Sequence, residues 1–315
     1  MKRLSWLLGI FWLCTLSVSG QNNYITLEQF QGAKITGIKA SMIDIEIRQG
    51  PDTGVRLEME EYLKPHVYCR MNYDGVLSVG VESRTKKNAK AIITLSSLDL
   101  LRVTNRSKVS TVGSFTAKDT CNVLVDKGGE LYDLNIQADS VRVKSTSSGK
   151  VINLRATARH GMLIHASGGG SITCSGVYKA SYCEVWSNNG RIKDLHLQVD
   201  TAAVSSFSRG EITGFQASAV RGLLLRISGY ASIVCNGLST ANYFEARADN
   251  GAKVFDLNVA ARSARLQSTR YSSIEIQKMD VKTKVYTDVA TYSRIIGGGL
   301  DVVDKGGYKS APDGA

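Results

Sequence analysis

The chain has 315 residues, of which 43% are hydrophobic and 21% are charged, and it carries a formal net charge of +11. A chain of this length can bury a large core, and after its start no segment reaches the roughly 18 consecutive apolar residues of a membrane helix. The basic surplus favours an anionic partner such as an acidic glycan, with an envelope protein as the alternative. Nucleic acid is not expected, because the basic residues are scattered and their longest run is Lys86-Lys87.

A secretory signal peptide is predicted at residues 1–20. Lys2 and Arg3 precede an apolar stretch from Leu4 to Leu16, and mostly small residues follow it. A charged start, a short apolar stretch and a small-residue end are typical of a Sec-type signal. The sequence therefore predicts an exported protein, located in the periplasm, on the outer-membrane surface or outside the cell.

Residues 21–100 are predicted to form an N-terminal β segment. Apolar and polar residues alternate in Ile43–Ile47, Val55–Met59 and Leu77–Val81, as in half-buried strands. The turn signals Gln49–Asp52 and Tyr73–Gly75 indicate that hairpins join these strands. We expect this segment to cap one end of the repeat described next, where strand edges would otherwise be exposed.

Residues 101–299 repeat with a period of 20 or 21 residues, which predicts a solenoid of stacked rungs. An apolar anchor recurs directly after a Gly or polar turn in each unit. Two further apolar positions recur, one three residues after many anchors and one ahead of them. The anchors are Leu131, Val151, Ile172, Ile192, Ile212, Ile233, Val254, Ile274 and Ile295. The second positions include Leu134, Leu154, Leu195, Phe215 and Leu257, and the leading ones are Val123, Val143, Ile164, Val185, Val204, Leu224 and Leu266.

Short alternating segments rich in Gly, Ser and Thr exclude helix and indicate three strands per rung. The predicted fold class is all-β, a right-handed single-stranded parallel β-helix with an N-terminal β cap, the handedness following from the preference of parallel crossovers. Residues 300–315, rich in Gly and Lys, are predicted to be a flexible tail.

A polar residue often lies between the anchor and the second apolar position of a rung, as do Asp133, Asn153, Asp194 and Asp256. This stack of polar residues has two interpretations. A stack of carboxylates could bind calcium, but Asp and Asn also close turns, and Cys174, Gly214 and Cys235 interrupt the stack. We therefore predict corner residues and no metal site. The same register places Cys174 three rungs from Cys235, and Cys121 three rungs from Cys183, too far for disulfides. These four cysteines are predicted to stay reduced in the monomer.

The order of these features resembles the head GIN-domain putative adhesin family of Bacteroidetes. The resemblance rests on four features in chain order. These are the first segment Ile43–Gly50, the pair of extended segments that ends in Tyr73–Val79, the rungs separated by Gly- and Ser-containing turns, and the final segment Ile295–Gly299. It implies a right-handed β-helix and a surface role described as adhesin. The family's Gly-Ser-Gly turns are kept only in part, as at 168–171.

The sequence favours a non-catalytic surface protein that binds glycan or protein along the solenoid face. Tyr178, Tyr182 and Trp186 are the candidate glycan contacts, and packing at a rung corner is their alternative role. A β-helical polysaccharide lyase or pectinase-like enzyme is a second hypothesis, but no convergent carboxylates, metal-ligand spacing, nucleophile elbow or cofactor motif occurs. We therefore predict no catalytic residue, metal or cofactor. A self-assembling structural solenoid is the third hypothesis, and no feature indicates an oligomeric state.

Overall fold

A computed structural model describes residues 24–82 and 89–303. The predicted signal peptide at 1–20 lies outside these residues, as do residues 304–315 of the predicted tail. The described chain is almost entirely β-structure, with two short 3₁₀ helices at Glu28–Phe30 and Glu61–His66 and no α-helix. The predicted all-β class is therefore confirmed.

The N-terminal region combines the first turns of the coil with antiparallel strands. Its strands are β1 Tyr24–Thr26, β2 Gly37–Ser41, β3 Asp44–Gln49, β4 Gly54–Glu58, β5 Val67–Met71, β6 Val76–Val81 and β7 Lys90–Leu95. A hairpin joins β5 to β6 as predicted. The predicted hairpin between β3 and β4 is wrong, because both edges of β3 are taken by parallel strands, and β4 instead pairs antiparallel with β1 and β7.

The remaining strands form the solenoid. They are β8 Leu100–Thr104, β9 Lys108–Val112, β10 Phe115–Thr116, β11 Thr120–Val125, β12 Glu130–Tyr132, β13 Asn135–Ser145, β14 Lys150–Ser167, β15 Ser171–Cys174, β16 Val177–Asn188, β17 Arg191–Lys193, β18 His196–Phe207, β19 Glu211–Ser228, β20 Ser232–Cys235, β21 Leu238–Asp249, β22 Lys253–Thr269, β23 Ser273–Ala290, β24 Arg294–Gly297 and β25 Leu300–Val303. The strands from β8 to β24 pair in parallel with those of the next rung. The last strand pairs antiparallel with β24, so four residues of the predicted tail are a strand.

The nine predicted anchors form one continuous column, where a column is the set of residues at one position of successive rungs. Each anchor pairs with the next, from Leu131 with Val151 to Ile274 with Ile295, and all nine are fully buried. Val109 and Ile45 extend the column toward the N-terminus. Because parallel strands lie about 4.8 Å apart, the nine anchors span about 38 Å of the axis.

The other two apolar columns differ from the prediction where a rung gains or loses one corner residue. An extra residue at the second corner of β19 makes Leu225 the partner of Val204, so the predicted Leu224 is wrong. A shorter first corner places Cys174 opposite Leu154 and Cys235 opposite Phe215. Both cysteines therefore lie in the buried column and not in the polar corner. The repeat length alone could not show this. A corner that is one residue shorter is compensated elsewhere in the same rung, so the repeat length stays at 20 or 21 residues.

The polar corner is defined by backbone conformation. Its residues have φ between 55° and 64°, the left-handed region that Asp, Asn and Gly tolerate best. They are Asp133, Asn153, Asp194, Gly214 and Asp256. Side chains also bond along the stack, since Asn153 Nδ2 donates to Asp133 Oδ1 at 2.9 Å. Within residues 24–82 and 89–303 no group of three or more His, Cys, Asp or Glu could hold a metal ion.

The turn that ends each rung contains two consecutive left-handed residues in most rungs. In some rungs the second position is a glycine, at Gly128, Gly169 and Gly251, and in others it is Arg106, Ser148 or Arg209. In three later rungs the second position is a tyrosine, at Tyr230, Tyr271 and Tyr292. A left-handed conformation costs a residue with a Cβ roughly 1–2 kcal/mol, and it is unusual for a bulky side chain.

Four cysteines lie inside the coil without a disulfide. Cys121 and Cys183 share one buried column three rungs apart, and Cys174 and Cys235 lie three rungs apart in another. Burial and, to a smaller extent, a neighbouring carboxylate raise the pKa of Cys121 and of Cys235 to about 12. These four interior cysteines are therefore protected thiols.

Candidate binding surface

Exposed aromatic side chains gather on one face of the C-terminal half of the solenoid. This face is the outer side of the last strand segment of each rung, and its exposed aromatics are Tyr182, Trp186, Tyr243 and Tyr286. The register places Tyr182 and Tyr243 in one column, and Trp186 in a column four residues further along. We call this surface the aromatic face.

Tyr178 does not belong to this face, so its assignment as a glycan contact is wrong. Its side chain is fully buried, and its hydroxyl donates a hydrogen bond to the Leu154 carbonyl. On one straight strand, residues four apart would point to the same side. The chain instead turns a corner between Tyr178 and Tyr182, and the corner reverses the alternation of inward and outward residues. Tyr182 and Trp186 remain 43% and 42% exposed, which leaves both available to a ligand.

A Tyr-x-Glu motif occurs twice on the aromatic face, three rungs apart. The first copy is Tyr182–Trp186 and the second is Tyr243–Arg247. In the first, Trp186 Nε1 donates to Glu184 Oε1 at 2.9 Å. In the second, the Tyr243 hydroxyl donates to Glu245 Oε2 at 3.1 Å, and Arg247 forms an ion pair with the same carboxylate. Each glutamate thus orients an aromatic ring at the surface.

Burial affects the protonation of this face. Burial and then the Glu245 carboxylate raise the pKa of Tyr243, which therefore stays a neutral donor at physiological pH. The ring of His165 contacts the Trp186 ring edge-on, with centroids 5.9 Å apart. Burial and the neighbouring Lys144 lower the pKa of His165, so this imidazole is neutral near pH 7. The aromatic positions therefore carry no charge of their own at that pH.

A cleft of about 400 Å³ lies between the second motif copy and the last full rung. Arg265 is the central residue, because it pairs along one column with Glu245 on one side and Tyr286 on the other. The Lys284 ammonium lies over the Tyr286 ring, 4.2 Å from its centroid. The lining residues are Tyr243, Arg265, Tyr286, Thr287 and Asp288.

On the aromatic face three acidic side chains have hydrogen-bonding partners, whereas two arginine side chains have none among the described residues. Gln267 Nε2 donates to Asp288 Oδ2 at 3.0 Å, and the two motif glutamates are bonded as described above. By contrast, the guanidinium groups of Arg226 and Arg265 form no hydrogen bond or ion pair with any residue that the structure describes. The face therefore offers guanidinium groups to an external anion. The sequence alone did not indicate Arg265. It also did not lead to the second motif copy, Tyr243–Arg247, although comparing the sequence with itself at a spacing of 61 residues aligns the two copies.

Comparison with known proteins gives a consistent family. The model of the family described as putative auto-transporter adhesin, head GIN domain, matches residues 35–224. A search of curated proteins gives no significant match. The cleft around Arg265 lies beyond the matched residues.

Solved structures of putative adhesins are similar to the chain at low identity. One from Bacteroides fragilis is 16% identical, and the match covers 89% of this chain and 100% of that one with a TM-score of 0.40. One from Parabacteroides merdae is 15% identical, with coverages of 85% and 95% and a TM-score of 0.42.

None of the described helices is long and apolar enough to cross a membrane. Because the family model covers more than half of the chain, the protein belongs to the head GIN-domain family of putative auto-transporter adhesins.

Proposed function

We propose that the protein is exported and acts at the cell surface as a non-catalytic receptor for an acidic glycan, which binds on the aromatic face. Arg265 carries this proposal, because an arginine without an ion-pair partner lies between two tyrosines in an open cleft. Guanidinium groups bind carboxylate and sulfate in a bidentate geometry. The adhesin family and the predicted signal peptide support the location.

The chemistry of the cleft suits a sugar. Tyrosine rings offer an apolar surface for the C–H groups of a pyranose, and their hydroxyls can bond to sugar hydroxyls. The Asp288 carboxylate adds an acceptor for hydroxyl groups at the same edge. The volume lies at the lower end of the range for small-ligand sites. One or two sugar units of a longer chain would thus be held at Arg265.

The spacing of carboxylates supports binding and not hydrolysis. Glu184 and Glu245 share a column three rungs apart, which corresponds to about 14 Å. The two carboxyl groups of a glycosidase lie only about 5–9.5 Å apart on either side of the scissile bond. Both glutamates are also occupied by hydrogen bonds to neighbouring side chains.

The test is binding of the purified chain to uronate-bearing, sulfated and neutral glycans at low and high salt, with release of reducing sugar measured in the same wells. We expect preference for acidic glycans, weaker binding at high salt, and no sugar release. Arg265→Ala should reduce affinity about tenfold or more, as for loss of a charge-assisted hydrogen bond.

The matched control is Arg191→Ala, which removes the same charge from an exposed position on β17. An equal loss in both variants would mean that overall charge and not the cleft binds the glycan. Sugar release would overturn the non-catalytic assignment. Failure of every glycan, with capture of an envelope protein instead, would replace the proposed ligand.

A further inference from the structure

Three tyrosines occupy a backbone position that favours glycine. Tyr230, Tyr271 and Tyr292 are the second left-handed residues of their turns, where other rungs have Gly169 or Gly251. Glycine adopts this conformation without steric cost. Backbone geometry therefore does not account for tyrosine at these positions, and strained residues that persist often serve a function.

Core packing does not account for them either. The three side chains are 73%, 66% and 54% exposed, in chain order. The rings of Tyr271 and Tyr292 are parallel and stack with centroids 5.3 Å apart. The Tyr230 ring covers Gly251, where an added Cβ would come within 2.7 Å of ring atoms. The result is a ladder of aromatic rings along one corner, which we call the tyrosine ladder.

The two charged side chains beside Tyr271, Arg270 and Asp249, neutralise each other. Arg270 forms a two-point ion pair with Asp249, and Thr269 donates to the same carboxylate at 2.8 Å. Burial opposes ionisation of Asp249, but these hydrogen bonds prevail and lower its pKa. At Tyr271 the ladder therefore offers ring surface and a phenol hydroxyl beside a neutralised charge pair.

The ladder continues the aromatic face. Each ladder tyrosine lies four residues after a member of the Trp186 column, for example Tyr292 after Asp288. Four residues of extended chain correspond to about 13 Å. Of the nine exposed aromatics in the described chain, seven lie on these two adjoining surfaces.

We infer that the tyrosine ladder is a second, uncharged contact site for the glycan chain that Arg265 holds, so that the ligand is a polymer long enough to reach from the cleft to the corner. This inference rests on the proposed function. The cleft supplies an ionic contact and the ladder supplies stacking.

The two contacts should respond differently to ligand length and salt. A uronate disaccharide can occupy the cleft alone, whereas a decasaccharide can reach the ladder as well. Salt screens the ionic contact but not stacking. We therefore expect the decasaccharide to bind at least tenfold more tightly than the disaccharide, and this gain to persist at high salt.

The test is the triple variant Tyr230→Gly, Tyr271→Gly and Tyr292→Gly, with Tyr73→Ala as a control that removes a tyrosine exposed far from the ladder. The triple variant should bind the disaccharide like the wild type and lose the gain with length. Its denaturant midpoint should be unchanged or higher, because glycine suits the left-handed position.

Two results would overturn the inference. A lower denaturant midpoint would show that the tyrosines are structural, and an unchanged gain with length would show that the glycan does not reach them. If the wild type binds neither oligosaccharide, the proposed function itself fails, which is distinct from both results.

Discussion

The clearest test of the structure separates Tyr178 from Tyr182, two aromatics only four residues apart. Replacing Tyr178 by alanine empties a fully buried site and removes the hydrogen bond to the Leu154 carbonyl. Replacing Tyr182 by alanine trims a side chain that is 43% exposed. Stability and binding should therefore respond in opposite ways to the two substitutions.

The expected sizes follow from burial. Removing a buried aromatic side chain costs about 3–5 kcal/mol. Loss of the hydroxyl's hydrogen bond adds about 1 kcal/mol, although the Leu154 carbonyl keeps the hydrogen bond from the Ser175 N–H. We expect Tyr178→Ala to lose about 4–6 kcal/mol, and Tyr178→Phe to lose about 1 kcal/mol, the part due to the hydroxyl. Tyr182→Ala should lose about 1 kcal/mol or less, as is usual for a surface residue.

Urea unfolding followed by circular dichroism measures these losses, provided that the slopes of the transitions agree. A changed slope would mean that the rungs unfold separately, which stacked repeats can do. Glycan binding is measured on the same samples, and Tyr182→Ala should be the one that weakens it. An equal loss of stability in Tyr178→Ala and Tyr182→Ala would refute the burial of Tyr178 and the corner that produces it.

Three further predictions concern the thiols, one histidine and one turn. The four interior cysteines should resist a thiol reagent at pH 8 in the folded protein and react after denaturation, because burial suppresses their thiolates; fewer than four reactive thiols in denatured, unreduced protein would contradict the predicted free state. Trp186 is the only tryptophan after residue 20, and protonation of His165 should quench its fluorescence with a midpoint below 6.5, a transition that His165→Gln should abolish. Since the folded pKa of His165 is lowered, its contribution to stability is full above pH 6.5 and declines as the pH falls below it. Gly170→Ala should destabilise the coil by about 1–3 kcal/mol in thermal unfolding, because its Cβ would lie 2.2 Å from the Ser145 carbonyl oxygen, and an unchanged melting temperature would contradict that close approach.

The sequence by itself determined the stacking of the solenoid. In a parallel coil each rung lies directly on the last, so a period along the chain becomes a column in space. The anchors from Leu131 to Ile295 could therefore be predicted one by one, and all pair as expected. The same register also gave the three-rung separation of Cys121 from Cys183 and of Cys174 from Cys235.

Only the tertiary structure decided which way side chains point after each corner. One added residue reverses the alternation, and this moved the buried position from Leu224 to Leu225. The corner after Tyr178 likewise separates a core residue from an exposed one. The cleft depends on the same effect, because Tyr243, Arg265 and Tyr286 come from three rungs and meet only when their strands align. Periodicity reports how often a position recurs, whereas local corner geometry decides whether that position faces the core or the solvent.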